Sequence, residues 1–384
     1  MKNKTLKPGW SWVKFGDVVR LSKSKSKDPL ADGFERYVGL EHLEPGDLRI
    51  LRYGNVADGV TFNNVFKPGQ VLFGKRRAYQ RKVAVADFSG VCSGDIYVFE
   101  SKDENILLPE LLPFICQSDA FFDHAVQTSA GSLSPRTNWN SLAEFEFLLP
   151  SKDIQLKAIH LLSCVENQRE SILRMITSTT MLRKSILLEV FAKYEFSKVK
   201  MGTVADIRNG STPKRIKEEY WKGTIPWLPT GKVNERIINF ADEFITDKAF
   251  KECPLTLIPA GTTLVAMIGE GQTRGRAAML AFDSCINQNF GAVIPGEMID
   301  PWYLFYLLES SYESLRHWSQ GTNQQALSCG LLKCFPIPVP DIKIQQKLVS
   351  RVKEIEKAEH ALKVRLDKNA QMRRSAYLAA LTME

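Results

Sequence analysis

Two long stretches of the chain contain neither glycine nor proline, residues 151–201 and 341–384. In the second, Ile344, Leu348, Val352, Ile355, Ala358, Leu362, Leu366, Asn369, Met372 and Ala376 recur at steps of three and four. In the first, Leu161 or Leu162, Val165, Ile172, Ile176, Leu182, Ile186 and Val190 do the same with more polar gaps. Such spacing lines one seam of a helix and is the coiled-coil pattern. A helix of about 39 residues reaches roughly 58 Å at 1.5 Å per residue, longer than a small domain is wide. The pattern therefore predicts two long helices that pair with each other through Val165, Ile172, Ile176 and Ile186 on one and Leu348, Ile355, Leu362 and Leu366 on the other. Each follows a proline, Pro150 or Pro340, and an aspartate, Asp153 or Asp341, able to cap free amides.

Elsewhere glycine and proline punctuate short runs of β-branched and aromatic residues. Val71–Phe73, Val83–Val85, Ile96–Phe99, Thr263–Ala266 and Gly291–Ile294 read as strands. A helix is expected over Leu107–His124 and another over Pro301–Trp318. The predicted class is mixed α/β (α+β), in four segments: a globule over 1–150, a central helix over 151–196, a second globule over 197–340 and a last helix over 341–384.

The two globules are copies. A constant offset of 190 aligns Gly131 with Gly321, Phe145 with Phe335, Pro150 with Pro340, Ile154 with Ile344, Gln155 with Gln345 and Lys157 with Lys347. Val13–Val18 resembles Val199–Val204, Lys67–Leu72 resembles Pro259–Leu264, and Phe88–Phe99 runs parallel to Phe282–Val293. This period has the size of a whole domain with its helix, not of a solenoid repeat. With the two helices paired antiparallel, the expected body is pseudo-twofold and suited to a partner with two halves.

Between these anchors the copies differ. Lys75, Arg76, Arg77, Tyr79, Arg81 and Lys82 crowd an eight-residue loop, where the second copy has Glu270, Gln272, Thr273, Arg274 and Arg276. Guanidinium forks suit phosphates and guanine edges, and glutamine and threonine suit base edges, so both segments are candidate DNA contacts. Their alternative is a solvated loop. Arg136, Gln324 and Gln325 follow the turns at Gly131-Ser132 and Gly321-Thr322; a structural turn is their first reading and DNA contact their second.

A net charge of +8 and a pI near 9.0 lean towards a polyanionic partner. Seven cysteines without a C-x-x-C pair suggest free thiols in a reducing cytosol, and no apolar run follows Lys2, Lys4 and Lys7 to suggest a signal peptide. No stretch is apolar enough to span a membrane. There is no phosphate-binding loop and no dinucleotide fingerprint. Residues 283–290 (DSCINQNF) lack the Asn-Pro-Pro-aromatic core of an amino-methyltransferase, and no nuclease cluster is clear. His42, His124, His160, His317 and His360 are scattered. These features predict a chain with no catalytic residues and no metal site.

The order domain, helix, domain, helix resembles the specificity subunit of type I restriction-modification systems. The resembling residues are Phe73-Gly74-Lys75 with Arg77 and Tyr79, Cys92-Ser93-Gly94-Asp95, Tyr37-Val38-Gly39-Leu40-Glu41, and the Gly-Ser and Gly-Thr turns leading to Pro150 and Pro340. The resemblance implies two target-recognition domains, each reading one half of an asymmetric bipartite site in double-stranded DNA. It implies helices that set the gap and dock two methyltransferase subunits, with restriction subunits joining through the complex. S-adenosylmethionine, ATP and Mg²⁺ would then sit on those partners and no cofactor on this chain. A recognition subunit of a type IIB- or IIG-like enzyme and a stand-alone DNA-binding regulator remain alternatives.

Overall fold

The computed structural model describes residues 8–193, 198–269, 271–318 and 326–381. Glu270, Gly321, Thr322, Gln324 and Gln325 lie outside the described residues. Two compact units make up the chain, one of Met1–Leu173 with Val364–Glu384, the other of Arg174–Lys363. The long helices run over Lys152–Lys193 and Ile342–Leu381, so each unit contains part of both.

In the first unit Trp10–Lys14 pairs antiparallel with Glu146–Pro150 and closes the globule next to the first long helix. An antiparallel sheet has the order Val19–Leu21, Ile96–Ser101, Val71–Gly74, Val83–Val85. A second sheet has the order Gly54–Asn55, Arg36–Val38, Gly90–Cys92, Asn64–Phe66, its middle pair parallel. Phe15, Phe73, Phe99, Phe121 and Phe122 fill the core with the helical residues Ala158, Leu162, Val165, Ala376 and Ala380.

The second unit repeats the plan. Lys198–Lys200 pairs with Pro336–Pro338, and Val199 faces Ile337 as Val13 faces Phe147. One sheet has the order Ala205–Asn209, Phe290–Pro295, Thr263–Ala266, Ala277–Leu280, Ile237–Ile238; another holds Glu243–Ile245, Trp221–Leu228 and Cys285–Ile286. Thr263–Ala266 and Ala277–Leu280 are buried throughout, which is why they read as unbroken small and apolar runs rather than alternating ones. Gly69 and Gly261 both take φ of 85°, and each donates its N–H over 2.8 Å, to Ala86 and Leu280 respectively.

Two predicted helices are broken. The first becomes a 3-10 turn at Pro109–Leu111 and helices at Leu112–Gln117 and Asp119–Gln127. Its break is Ser118, whose hydroxyl donates to Ile115 O at 2.7 Å and accepts from the Phe121 N–H at 3.3 Å. The second becomes Pro301–Ser310 and Tyr312–Trp318, with the Ser311 hydroxyl donating to Leu307 O. Serine competes for backbone groups and so favours a helix end over a helix middle.

The same glutamine ties each globule to its long helix. Gln155, 1% exposed, accepts from the Leu108 N–H and donates to Ile106 O and Pro150 O at 2.8–2.9 Å. Gln345, 0% exposed, accepts from the Asp300 N–H and donates to Met298 O and Pro340 O at 2.8–3.0 Å. At the helix starts, Asp341 Oδ1 accepts from the Lys343 N–H. Ser151, rather than Asp153, holds the corresponding place, its carbonyl accepting from Ile154 and Gln155.

The two long helices pack together, and their seam is more polar than the apolar residues suggest. On the second helix it runs through Gln345, Leu348, Val352, Ile355, Glu359, Leu362, Leu366, Asn369, Arg373, Ala376 and Ala380, all buried or half-buried. On the first it runs through Gln155, Ala158, Leu162, Val165, Arg169, Ile172, Ile176, Thr179, Arg183 and Ile186. Ala358, Met372 and Leu182, expected on the seam, are exposed; their neighbours Glu359, Arg373 and Arg183 take its positions. In the first unit the buried Asn369 donates to Val165 O at 3.2 Å and to Gln168 Oε1 at 2.9 Å, and Arg373 meets Glu166. In the second unit Arg183 meets Glu309 at 3.3 Å and Glu356 at 3.9 Å. In each unit the pieces of the two helices pack against each other.

Candidate nucleic-acid interface

In the first unit the basic loop joins strands Val71–Gly74 and Val83–Val85. It turns through a short 3-10 helix, Ala78–Gln80, flanked by Arg77 at φ 54° and Arg81 at φ 56°. A second loop lies against it. The Thr137 N–H donates to Lys75 O at 3.0 Å, the Arg77 N–H donates to Pro135 O at 2.7 Å, and Ala130 and Arg136 exchange backbone hydrogen bonds of 2.9–3.0 Å. The structure thus brings Lys75, Arg76, Arg77 and Arg136 together from two loops, joined through Asp95. Arg76 Nη1 stands 3.3 Å from Asp95 Oδ2 and Arg136 Nε stands 3.0 Å from Oδ1. Lys75 Nζ lies 4.6 Å from the Tyr97 ring centroid.

Two other candidates are turned inward. Arg81 pairs with Asp119 at 2.6 Å and lies over the Phe122 ring, and Lys82 Nζ donates to Leu40 O at 2.6 Å. These two fasten the loop to the globule. Arg77 and Tyr79 point outward, Tyr79 being 56% exposed. Asp95 is a partner that reasoning from cations passed over, although it closes the Cys92–Asp95 motif. Leu133, 92% exposed at the tip of the 131–135 turn, was not read from the sequence either.

In the second unit the matching loop joins Thr263–Ala266 to Ala277–Leu280. Arg276 donates to Gln272 O at 2.7 Å and to Asn234 Oδ1 at 2.6 Å, and Tyr312 donates to the same Gln272 carbonyl at 2.9 Å. Gln272 is exposed and Thr273 half-buried. Arg274 is 6% exposed, with Arg316 donating to its carbonyl at 3.2 Å. A cavity of about 730 Å³ opens here, lined in part by Gln272, Arg276, Arg236, Tyr312 and Arg316. The last three were not read from the sequence. Tyr312 and Arg316 sit one helical turn apart, a spacing that could have revealed them. Lys214–Lys217 forms a further basic segment, with Arg215 3.9 Å from the Trp221 ring centroid and Ile216 89% exposed.

Among the described residues no group of three His, Cys, Asp or Glu side chains could hold a metal ion. Burial pushes the Cys92 thiol up to about 12 and Cys116 well above its ordinary value, which leaves both poor nucleophiles. No helix among the described residues is long and apolar enough to cross a membrane. The described residues offer cations and amide side chains on two differently built surfaces.

Residues 193–368 match the family model of the type I restriction modification DNA specificity domain. The chain carries this likeness over its second globule and much of its last helix. It is 33% identical over 156 residues to the type I restriction enzyme MjaIX specificity subunit of Methanocaldococcus jannaschii, covering 39% of this chain and 35% of that protein. It is 21% identical over 383 residues to the MjaVIII specificity subunit of the same organism, covering 90% of this chain and 86% of the relative. The MjaIX protein and two specificity subunits of Escherichia coli, those of EcoR124I/EcoR124II and EcoDI, are matched over only 35% to 45% of their own length. A solved chain from a work on complex assembly and conformational transition of the type I R-M system superposes with a TM-score of 0.63, at 19% identity and 99% coverage of both chains. That likeness establishes a shared fold over this chain.

Proposed function

We propose that this chain is the sequence-specific DNA-recognition subunit of a type I restriction-modification complex. Each globule reads one half of an asymmetric bipartite site in double-stranded DNA. The paired helices set the gap and dock two methyltransferase subunits, through which restriction subunits join. The chain itself is non-catalytic. S-adenosylmethionine, ATP and Mg²⁺ belong to the partners, and the complex works in the cytoplasm.

The observation that carries this reading is one fold used twice with two different basic loops in the same topological place. Lysine and arginine supply salt-dependent affinity for phosphate, and forks and amides supply discrimination between bases. Exchanging residues 197–341 for the equivalent segment of a relative tests it. The methylated sequence, read genome-wide, is expected to change in one half only, with the other half and the gap kept. A change in both halves at once would defeat the two-reader scheme, and so would tight binding of S-adenosylmethionine by the purified chain.

A further inference from the structure

Asp95 stands at the meeting point of the two loops of the first unit and is held by its own backbone. Its N–H donates to Ser93 Oγ at 3.2 Å, and its carbonyl accepts from the Lys75 N–H at 3.0 Å. The carboxylate is only 20% exposed and divides its oxygens between two arginines. Those arginines are used differently. Arg76 gives Nη1 to Asp95 and Nη2 to Ser134 Oγ, and its Nε is buried. Arg136 gives only Nε to Asp95, at 3.0 Å, and its side chain is 54% exposed. Among the described residues neither terminal nitrogen of Arg136 has a partner.

We propose that Arg136 is the residue of the first copy that reads a guanine, and that Asp95 is its positioning residue. The inference rests on the DNA-recognition reading above and sharpens it to one base. A guanidinium fixed through Nε keeps two coplanar N–H groups in a fork, which matches O6 and N7 of guanine in the major groove. A phosphate would fit the same fork, but it would meet the Asp95 carboxylate across the same guanidinium. Like charge disfavours that placement, and a neutral base edge carries no such penalty. Arg77, exposed and without a carboxylate partner among the described residues, is suited to the phosphate instead. The Ala130–Arg136 backbone pair and the Arg77–Pro135 hydrogen bond fix the hairpin that presents Arg136, so little ordering is left for the moment of binding.

Selection of bound sequences from a random duplex library, using the full chain, tests this directly. The wild-type protein is expected to enrich a bipartite motif in which one half requires a guanine by roughly 5- to 150-fold, the range of one bidentate pair. Arg136→Ala should bring that single preference close to unity and leave every other position unchanged. Arg136→Lys keeps the charge and loses the fork, so the guanine preference should fall while affinity for unrelated DNA holds. Asp95→Asn should weaken the same preference. It should also raise affinity for unrelated DNA, with a steeper salt dependence, because two freed cations can then meet phosphates. A merely structural Asp95 would move neither of these readouts. If Arg136→Ala weakens all sequences equally and the motif survives, Arg136 is a phosphate contact and the inference is wrong. If the wild-type protein enriches no sequence at all, DNA recognition by this chain fails, and the guanine reader fails with it.

Discussion

The first copy turns its basic loop through Arg77 and Arg81 at φ of 54° and 56°, whereas the second turns through Gly269 and Gly275 at 116° and 85°. A left-handed residue with a side chain costs about 1–2 kcal/mol that glycine avoids. In the first copy this is offset by contacts of the loop with the globule: Arg81 on Asp119, Arg77 on Pro135, and Arg76 and Arg136 on Asp95. In the second copy Gly275 packs closely, since a Cβ there would come within 3.1–3.2 Å of Arg316 and Tyr312. Away from the loops the copies share two points of attachment. Gln155 and Gln345 make the same three hydrogen bonds, and Gly69 and Gly261 the same turn. Attachment is shared, and the surface presented to a ligand is particular to each copy.

Replacing the shared glutamines attacks the common part and should have the largest effect. Gln155→Ala leaves one N–H and two carbonyls without this partner, and Gln345→Ala does the same in the other copy. At about 1–3 kcal/mol for each orphaned group, a loss of about 4 kcal/mol is expected from either change. Urea unfolding reads the total. Amide exchange reads the place: Leu108 should lose protection in the first variant and Asp300 in the second. Unequal losses would mean that the attachment is not shared after all.

The seam arginines should separate the copies, with a smaller effect. Arg373→Met removes the partner of Glu166, Gly46 O and Gln117 together. Arg183→Met leaves Glu309 and Glu356 still held by Arg236. Breaking a fully buried pair costs about 3–5 kcal/mol, less where solvent reaches it. About 2 kcal/mol is expected for Arg373→Met and about 1 kcal/mol for Arg183→Met, measured as a shift in the urea midpoint at unchanged slope.

The smallest effect is one of pH. Burial raises the Glu166 carboxyl above its ordinary 4.5, outweighing Arg373 and Arg169. The folded state therefore holds this proton more tightly than the unfolded chain, so stability falls as pH rises from 4.5 through the raised folded value. Glu166→Gln should flatten that decline. Nearby Asp47 runs the other way. Burial opposes its ionisation, but hydrogen bonds from Arg49 prevail and lower it below 3.8. Its contribution is full above 3.8 and is lost as pH falls through the lowered folded value. A decline on the neutral side that survives Glu166→Gln would locate its source elsewhere.

The repeat, the central strands and both long helices were legible because each leaves a periodic or offset signal in residue type. The polar part of the seam was not. Reading apolar residues alone slid the frame by one position, choosing Leu182, Ala358 and Met372 in place of Arg183, Glu359 and Arg373. A buried arginine with a carboxylate partner looks like a surface arginine until the partner is known, and Glu166 and Glu309 lie far away in sequence. The helix breaks were nearer to hand, since Ser118-Asp119 is an N-terminal signature in its own right. For the site, cation density located the loops, but it could not tell Arg81 and Lys82, which hold the loop, from Arg77 and Tyr79, which face outward. That distinction belongs to Asp119 and Leu40, and neither stands out by type.

Each glutamine anchors only to main-chain atoms: Leu108 N, Ile106 O and Pro150 O in one copy, Asp300 N, Met298 O and Pro340 O in the other. Every residue except proline offers that same amide, and every residue offers that same carbonyl. The joint is therefore indifferent to which side chains fill the globule beyond it, provided its chain path is kept. Over generations such a joint lets a whole globule be exchanged by recombination, without any compensating change in the helix that receives it.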